Sequence, residues 1–508
     1  MQLSNFRPAI LVSPAGIGCL LALIFTSWLY DRLSSVPRVG KSRLRTLFTR
    51  ETPTRWAMDK YGQEGYDKYH KKGKPFVSKV FGHDYWVLPP KYLKDIKTAP
   101  ARSLSFFQAL SDSFNMQASV GNLYHSTVEI TVVAKFLNSQ FATIVPLLAD
   151  EADYAVDKEL GKLSDWKSFN GSEVCAKMLH RTTSRILVGL DLCRNDEYLD
   201  VSGRFSKSLF IFGTLWNVIA TGPLRKLLAR LTIFGHTRDL NHATKMLLPV
   251  IHQRLADRSN GVDISEKYKD MLQWILDTPP SIPGDEDPVH QAHHLMHLTF
   301  AASSASGVLV TQGLFQLLMM PEYVQPLREE LDRVLAEHGN QWTDRALSSL
   351  VLMDSFLRET MRMYPAGSLT CARTVMDKPF AFHDGFKLPE GARIIFTSLA
   401  IHRDPDNYAD PDAFDGYRFV KTDAAPGKQK TIIAASTVDQ KFLQFGYGPH
   451  ACPGRFYAVR KAKLVLGRLL QRYDFKWDGA VTERPEGVAI EAQMVPNPDA
   501  RILFRSRQ

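Results

Sequence analysis

The chain opens with a long uncharged stretch. Residues 9–30 contain no charged side chain, and about 20 apolar residues are enough to cross the hydrocarbon core of a bilayer as a helix. Trp28 and Tyr30 provide the aromatic end that is typical of a membrane interface. We therefore predict an N-terminal head and transmembrane anchor over residues 1–30. A cleaved signal peptide is the alternative for the same pattern.

The pattern then changes to short polar and apolar alternations. Residues 31–44 contain turn-forming Pro and Gly and predict a linker, followed by one large domain over residues 45–508. Residues 75–98 hold two β-prone runs with a glycine between them, which predicts a hairpin. Residues 125–365 are mostly helical in pattern, and residues 380–396 predict short strands around turns. The expected fold class is mainly α with a small β portion.

One predicted helix carries a charged pair. It runs from Ser348 to Tyr364 and ends before Pro365. Glu359 and Arg362 stand three residues apart, so their side chains lie on the same helix face. An ordinary surface ion pair is the alternative interpretation of this spacing.

Composition and charge narrow the class of protein. The 508 residues are 44% hydrophobic and 23% charged, which is typical of a globular protein with a substantial core. The net charge is +10, and basic residues are concentrated directly after residue 30. This asymmetry predicts that the large domain lies on the cytoplasmic side of the membrane. The chain has no zinc-type cysteine pair and no P-loop, and nothing in it indicates a nucleic-acid partner.

The cysteines show no pairing pattern, and their odd number argues against a disulfide framework. Three of them have apolar or mixed neighbours and are expected to be buried. Cys452 differs, since it lies in Phe445-Gly-Tyr-Gly-Pro-His-Ala-Cys-Pro-Gly454 just before a helical run. Glycines let backbone N–H groups approach a sulfur, and a nearby cation keeps a thiolate ionised. The loop therefore predicts that Cys452 is a thiolate ligand of haem iron. The five cysteines stand at positions 19, 175, 193, 371 and 452.

The arrangement F-x-x-G-x-[R/H]-x-C-x-G in this loop resembles the haem loop of cytochromes P450. The resemblance implies a cytochrome P450 fold behind the N-terminal transmembrane helix, with haem b as the cofactor. It also implies an NADPH-cytochrome P450 reductase as electron donor, because the chain has no flavin or nicotinamide module of its own. Residues 449–456 (Pro-His-Ala-Cys-Pro-Gly-Arg-Phe) resemble filamentous-fungal members that act in specialised metabolism. The implied location is the endoplasmic reticulum membrane, with a single span and a cytoplasmic catalytic domain.

The resemblance assigns further roles around the haem. His450 and Arg373 match positions that contact the haem propionates, and Phe445 matches a position that packs beside the sulfur. His125 is a third candidate for a propionate contact, although the W-x-x-x-R pattern of many family members is absent there. Arg418, within residues 411–419, completes a structural network with the Glu359 and Arg362 pair.

The segment that the resemblance places over the iron departs from the family pattern. Phe300-Ala-Ala-Ser-Ser-Ala-Ser306 aligns with [A/G]-G-x-[D/E]-T-T, but Ser304 and Ala305 replace the acid and the threonine that deliver protons. Ser303, Ser304 and Ser306 are therefore the predicted catalytic residues. A hydroxyl of the substrate is an alternative proton donor.

Three functional hypotheses follow. The leading one is a haem-thiolate monooxygenase that oxidises an apolar specialised metabolite of terpenoid or polyketide type, taken from the lipid bilayer. The second is a haem-thiolate oxidase that couples phenols or rearranges a substrate without inserting oxygen, as the Ser304-Ala305 departure indicates. The third is a non-catalytic haem sensor or carrier.

Overall fold

The computed structural model describes residues 36–40, 57–117, 121–219, 222–421 and 431–507. The predicted anchor over residues 1–30 and most of the linker over residues 31–44 lie outside the described residues. The described chain is mainly helical with several small sheets, which confirms the expected fold class.

The helices and strands are numbered here in chain order. The α-helices are α1 Met58–Lys68, α2 Leu93–Thr98, α3 Phe106–Phe114, α4 Val128–Thr131, α5 Phe141–Glu159, α6 Gly171–Val188, α7 Leu190–Cys193, α8 Asp196–Ile219, α9 Gly222–Ser259, α10 Ile264–Lys267, α11 Met271–Asp277, α12 Pro288–Met319, α13 Val324–Glu337, α14 Asp344–Ser349, α15 Val351–Met363, α16 Ser398–His402 and α17 Arg455–Arg472. The strands are β1 Phe76–Val80, β2 His83–Val87, β3 Leu104–Ser105, β4 Lys167–Asn170, β5 Leu369–Val375, β6 Phe380–Ala381, β7 Lys387–Leu388, β8 Arg393–Thr397, β9 Val420–Lys421, β10 Thr431–Ile432, β11 Tyr473–Trp477, β12 Val488–Ile490, β13 Gln493–Val495 and β14 Arg501–Ser506.

The predicted hairpin is confirmed. Strands β1 and β2 pair antiparallel with Phe76 opposite Val87, and Gly82 adopts a φ of 74° at the turn. The hairpin forms one edge of a five-stranded sheet in the order β1-β2-β8-β5-β3. Strands β2 and β8 are parallel, so the connection between them carries most of the helices.

Strand β5 contains an irregularity that bears on the site. Its register against β8 shifts between Thr370 and Arg373, and Cys371 within this stretch has a φ of 57°. A bulge of this kind inserts an extra residue and changes the face to which the following side chain points. The bulge therefore sets the direction of Arg373.

Helix α12 runs through the middle of the helical layer. It packs against α6, α9, α15 and α17, and its apolar side chains belong to the main hydrophobic core. Among the described residues, α12 is long and apolar enough to cross a membrane, but most of that stretch is buried inside the protein. A central core helix has the same composition, so this finding is weak evidence for a membrane span.

The helix predicted from Ser348 to Tyr364 is wrong at its first residues. The structure divides this stretch into α14 and α15, with Leu350 between them at a φ of −77° and a ψ of 79°. Glu330 accepts hydrogen bonds from the N–H groups of Leu352 and Met353, at 2.6 Å and 2.9 Å. This carboxylate from α13 satisfies free N–H groups at the start of α15, so a new helix begins there.

Candidate active site

The cysteine loop is held by its own backbone. The Cys452 N–H donates to the Phe445 carbonyl oxygen at 2.7 Å, which closes the loop. Gly446 and Gly448 both have a φ of 74°, a conformation that favours glycine. Helix α17 begins three residues after Cys452, so the positive end of its dipole points toward the sulfur. The Asn138 side-chain amide also donates to the Pro453 carbonyl oxygen at 3.0 Å.

Cys452 is the exposed cysteine of the described chain, whereas Cys175, Cys193 and Cys371 are buried, as expected. Nearby protein nevertheless surrounds part of the sulfur, and this burial raises the pKa of the Cys452 thiol. Hydrogen bonds from the Gly454 and Arg455 backbone and the Arg455 charge act in the opposite direction. A thiol that binds a metal loses its proton. The exposed side of the Cys452 sulfur is therefore open to bind a metal ion as a thiolate.

A guanidinium beside the loop and an imidazole within it are the candidate propionate contacts. Arg373 is 2% exposed, and its guanidinium donates to the Ala372 carbonyl oxygen at 2.7 Å and to the Tyr447 carbonyl oxygen at 3.4 Å. No carboxylate of the described residues forms an ion pair with it. His450 stacks on the Phe106 ring with centroids 5.9 Å apart. Burial and the Arg373 charge both lower the pKa of His450.

These residues fit a haem. A buried cation without a counter-charge costs free energy, and an anionic propionate beside Arg373 would remove that cost. The open thiol of Cys452 would supply the iron ligand, and Phe445, half-buried, packs against the main core next to it. His125 lies exposed at the end of the turn Gly121–His125, and its predicted propionate contact stays a prediction.

The structure brings Glu359, Arg362 and Arg418 together. Arg362 forms a double hydrogen bond with the Glu359 carboxylate at 2.7 Å and 2.8 Å, and both side chains are fully buried. Arg418 donates its Nε–H to the same carboxylate at 3.0 Å. Arg362 also donates to the carbonyl oxygens of His402 and Pro411, at 2.7 Å and 2.6 Å. The network thus joins α15, α16 and the segment that contains Arg418.

Two residues that the sequence patterns did not single out tie α15 and α16 to the segment that leads into the cysteine loop. His402 Nε2 accepts the Leu443 N–H at 2.9 Å, two residues before Phe445. Burial lowers the pKa of His402 to about 3, so the ring remains neutral and keeps its acceptor. Arg358 donates to the carbonyl oxygens of Ala434 and Thr437, at 2.9 Å and 2.7 Å. These long-range contacts leave no periodic signal in the sequence.

Helix α12 presents small residues on one side. Ala301 and Ala305 are exposed, although most of α12 is buried, and residues four apart lie on the same helix face. Phe300 packs edge-on against Phe114 of α3, with ring centroids 6.1 Å apart. Ser304 lies within α12, but its side chain is outside what the structure describes. This face, Ala301 with Ala305, is called the alanine face below.

The hydroxyls of Ser303 and Ser306 bond within the protein. His180 Nε2 lies 3.1 Å from the Leu199 carbonyl oxygen, so this nitrogen carries the proton. His180 Nδ1 therefore accepts the Ser303 hydroxyl proton at 3.0 Å. Burial lowers the pKa of His180 to about 4, which keeps the ring neutral. Ser306 donates to the Ala302 carbonyl oxygen at 3.1 Å. The predicted proton-delivery roles of both serines stay predictions.

An open groove of about 640 Å³ lies elsewhere on the surface. It is bounded by the end of α12, the start of α13 and strand β11, with Leu317, Val324 and Trp477 among its lining residues. None of the predicted haem contacts lines it. The groove therefore has no part in the site around Cys452.

Comparison with known proteins decides the family. The cytochrome P450 family model matches residues 63–502. The chain belongs to the cytochrome P450 family. It is 43% identical over 493 residues to the cytochrome P450 monooxygenase sirB of Leptosphaeria maculans, covering 96% of this chain and 94% of that one. It is 32% identical to the cytochrome P450 monooxygenase penP of Penicillium crustosum, covering 87% and 84%, and 29% identical to the aspergilol synthase AuAP450 of Aspergillus ustus, covering 99% and 93%.

A solved P450 shares the fold. The structure of retinoic acid-bound cyanobacterial CYP120A1 superposes with a TM-score of 0.65 at 16% identity, over 88% of this chain and 94% of that chain. As a P450, this protein is a haem-thiolate oxidoreductase of the monooxygenase class that receives electrons from a reductase. Its resemblance to fungal P450s of specialised metabolism is confirmed.

Proposed function

We propose that this P450 is a membrane-anchored monooxygenase that oxidises an apolar specialised metabolite of terpenoid or polyketide type. Haem b bound through Cys452 would activate molecular oxygen, with electrons from NADPH by way of NADPH-cytochrome P450 reductase. The observation that carries the proposal is the exposed Cys452 thiol in a loop whose Tyr447 carbonyl contacts the buried guanidinium of Arg373, with which no carboxylate of the described residues forms an ion pair. Arg373 and His450 would bind the propionates and orient the haem, and Phe445 would shield the sulfur.

The anchor belongs to the same proposal. Residues 1–30 would form a single span in the endoplasmic reticulum membrane, with the catalytic domain from residue 45 on the cytoplasmic side. The uncharged run over residues 9–30 and the basic residues that follow it support this location. A substrate dissolved in the bilayer would then reach the enzyme without crossing water.

A second function, oxidative coupling or rearrangement without oxygen insertion, has two observations in its favour. Ala305 occupies the position of the proton-delivering threonine, and the Ser303 hydroxyl donates to His180. Of the three candidate serines, Ser304 is the one we would substitute first to test for a proton relay. The family assignment favours either enzyme over a non-catalytic haem carrier.

The deciding experiment follows the product. The gene is deleted in the native host, the precursor that accumulates is identified by mass, and that precursor is given to microsomes that contain the full-length enzyme and a reductase under isotopically labelled oxygen. We expect a product that carries one labelled oxygen atom. An unlabelled product with the mass of two precursors minus two hydrogens would overturn monooxygenation and establish coupling.

The thiolate assignment is tested by substitution. We expect Cys452→Ala to fold but to lose the thiolate-type absorption of the ferrous carbon monoxide complex and all turnover. Cys175→Ala is the matched control, because Cys175 is a fully buried cysteine of α6 outside the loop. A Cys452→Ala protein that kept oxidative activity would contradict the assignment.

A further inference from the structure

A buried lysine contacts the backbone of α12 next to the alanine face. Lys461 of α17 is fully buried, and its ammonium lies 3.0 Å from the Ala302 carbonyl oxygen. The same nitrogen lies 2.5 Å from the Thr183 hydroxyl oxygen of α6. Thr183 donates its own proton to the Leu179 carbonyl oxygen, so it accepts one from Lys461. A single side chain therefore ties together α17, α6 and α12.

Among the described residues, no counter-charge lies in contact with Lys461. None of its contacts in the described chain is a carboxylate. The titratable groups nearest to it are Tyr457 of its own helix, whose ring centroid lies 5.0 Å from the ammonium, and His180 of α6, which is neutral and whose pKa the Lys461 charge helps to lower. Burial lowers the pKa of Lys461 to about 7. A buried amine without a counter-charge lowers the stability of the folded state. We therefore expect Lys461 to have a specific role.

The contacted carbonyl lies at the point where α12 forms the alanine face. Ala302 follows Ala301 directly, and in an α-helix the carbonyl of residue 302 faces the amide of residue 306. The Ser306 hydroxyl also donates to the Ala302 carbonyl oxygen. Lys461 and Ser306 thus converge on the turn that connects Ala301 to Ala305. A shift of this turn would move both alanines.

We propose that Lys461 is a positioning residue for the oxygen-binding side of the haem pocket, because its side-chain nitrogen donates to the Ala302 carbonyl and so fixes the alanine face of α12. The inference rests on the proposed function only in placing that face over the haem. Lys461 itself touches no substrate or cofactor. The Ala302 carbonyl is thus held from within α12 by the Ser306 hydroxyl and from outside the helix by Lys461.

Hydrogen–deuterium exchange of the full-length, haem-loaded enzyme tests the contact without requiring turnover. Lys461→Met keeps the length of the side chain but removes the charge and the donors. We expect the amide of Ser306 to exchange about tenfold faster, as for the loss of a hydrogen bond from a charged group. Lys463→Met is the control for loss of a buried lysine from the same helix, because Lys463 pairs with Asp354 and donates to the Leu347 carbonyl, and none of its hydrogen bonds among the described residues reaches α12.

A second readout separates positioning from general loss of packing. We expect Lys461→Met to lower the fraction of NADPH electrons recovered in product while the substrate KM stays near its original value, and Lys463→Met to leave that fraction unchanged. If Lys461→Met does not fold, Thr183→Val removes the hydroxyl that Lys461 bonds while preserving shape, and the same faster exchange is expected.

The outcomes are distinct. Unchanged exchange and unchanged electron recovery in Lys461→Met would overturn the inference, as would equal effects of the Lys461 and Lys463 substitutions. If the enzyme proves to couple substrates instead of inserting oxygen, the proposed function fails, yet the exchange experiment still reports whether Lys461 holds α12.

Discussion

Gly448 is a position of the cysteine loop at which neighbouring atoms leave room only for glycine. Its φ is 74°, and a Cβ atom added there would lie 2.9 Å from the Cα of Lys97 in α2. The loop therefore passes against the backbone of α2 with no space for a side chain. Backbone atoms cannot rotate away as a flexible side chain can, so the loop itself would have to move.

We expect Gly448→Ala to reduce the free energy of unfolding by about 3 kcal/mol or more, the sum of left-handed strain and overpacking, and to reduce the haem content. Denaturant unfolding and the ratio of haem to protein check this. Gly385→Ala is the matched control, since Gly385 has a φ of 85° but open space around a Cβ. It should lose only about 1–2 kcal/mol. Equal losses in the two variants would contradict the argument from the close approach.

Among the elements, α15 depends on two buried carboxylates with different partners. Glu359 bonds Arg362 and Arg418 and also accepts the Asp415 N–H at 3.0 Å. Glu330 accepts two backbone N–H groups at the start of α15, and no arginine of the described chain forms an ion pair with it. Loss of charge should therefore have unequal consequences at the two positions.

We expect Glu359→Gln to lower the free energy of unfolding by about 3–5 kcal/mol, because it leaves buried guanidinium charges unpaired. Glu330→Gln should cost about 1–2 kcal/mol, because one backbone donor loses its acceptor. Both values come from denaturant titrations of the full-length protein. If Glu359→Gln cost no more than Glu330→Gln, the charge network would not be what braces α15.

The elements also show what a sequence pattern can predict. The β1–β2 hairpin, the Glu359 and Arg362 spacing and the cysteine loop all depend on residues within about ten positions of each other, so local periodicity and turn residues carry the signal. The break between α14 and α15 depends on Glu330, which lies on another helix. The bulge at Cys371 depends on the pairing of β5 with β8. Neither partner is visible from the local sequence.

At the scale of the whole molecule, the contacts that complete the site join distant parts of the chain. Asn138 reaches Pro453 across 315 positions, and Lys461 reaches Ala302 across 159. The spacing of motifs was enough to locate the haem loop, Glu359 and Arg362 in the sequence, because the chemistry of the site restricts which residue types can stand at those positions. Only the resemblance to the family pattern pointed to the serines of α12. That pattern does not reveal that the Ser303 hydroxyl forms a hydrogen bond with a histidine of α6.

A cluster of charged groups fastens the start of α12 to the rest of the helical layer. His294 lies 3.0 Å from a Glu129 oxygen of α4 and 3.0 Å from an Asp285 oxygen in the turn before α12. His297 lies 3.2 Å from the same Glu129 oxygen. Burial opposes protonation of His294, but hydrogen bonds to the two carboxylates outweigh it and raise the pKa of His294. The pKa values of Glu129 and Asp285 are lowered to about 2, because the hydrogen bonds outweigh burial there as well.

These shifts predict how stability depends on pH. Between the unfolded pKa of about 6.5 and the raised folded pKa, the folded protein binds more protons than the unfolded chain, so the His294 contribution is complete below about pH 6.5 and is lost as the pH rises. The two carboxylates contribute above their unfolded pKa of about 4 and lose that contribution as the pH falls toward 2. We therefore expect the cluster to stabilise the protein most between about pH 4 and 6.5. His294→Gln should remove the decline above pH 6.5, measured as the midpoint of thermal unfolding against pH.

His70 provides the matched control because its shift has the opposite sign. It is 5% exposed, it contacts the Val87 carbonyl oxygen at 3.1 Å, and burial lowers its pKa to about 4. Its contribution is therefore present above about pH 6.5 and lost as the pH falls toward 4. His70→Gln should leave the decline above pH 6.5 intact and alter only the acid side of the profile. If His294→Gln kept the alkaline decline, or if His70→Gln removed it, the cluster at the start of α12 would not be its source.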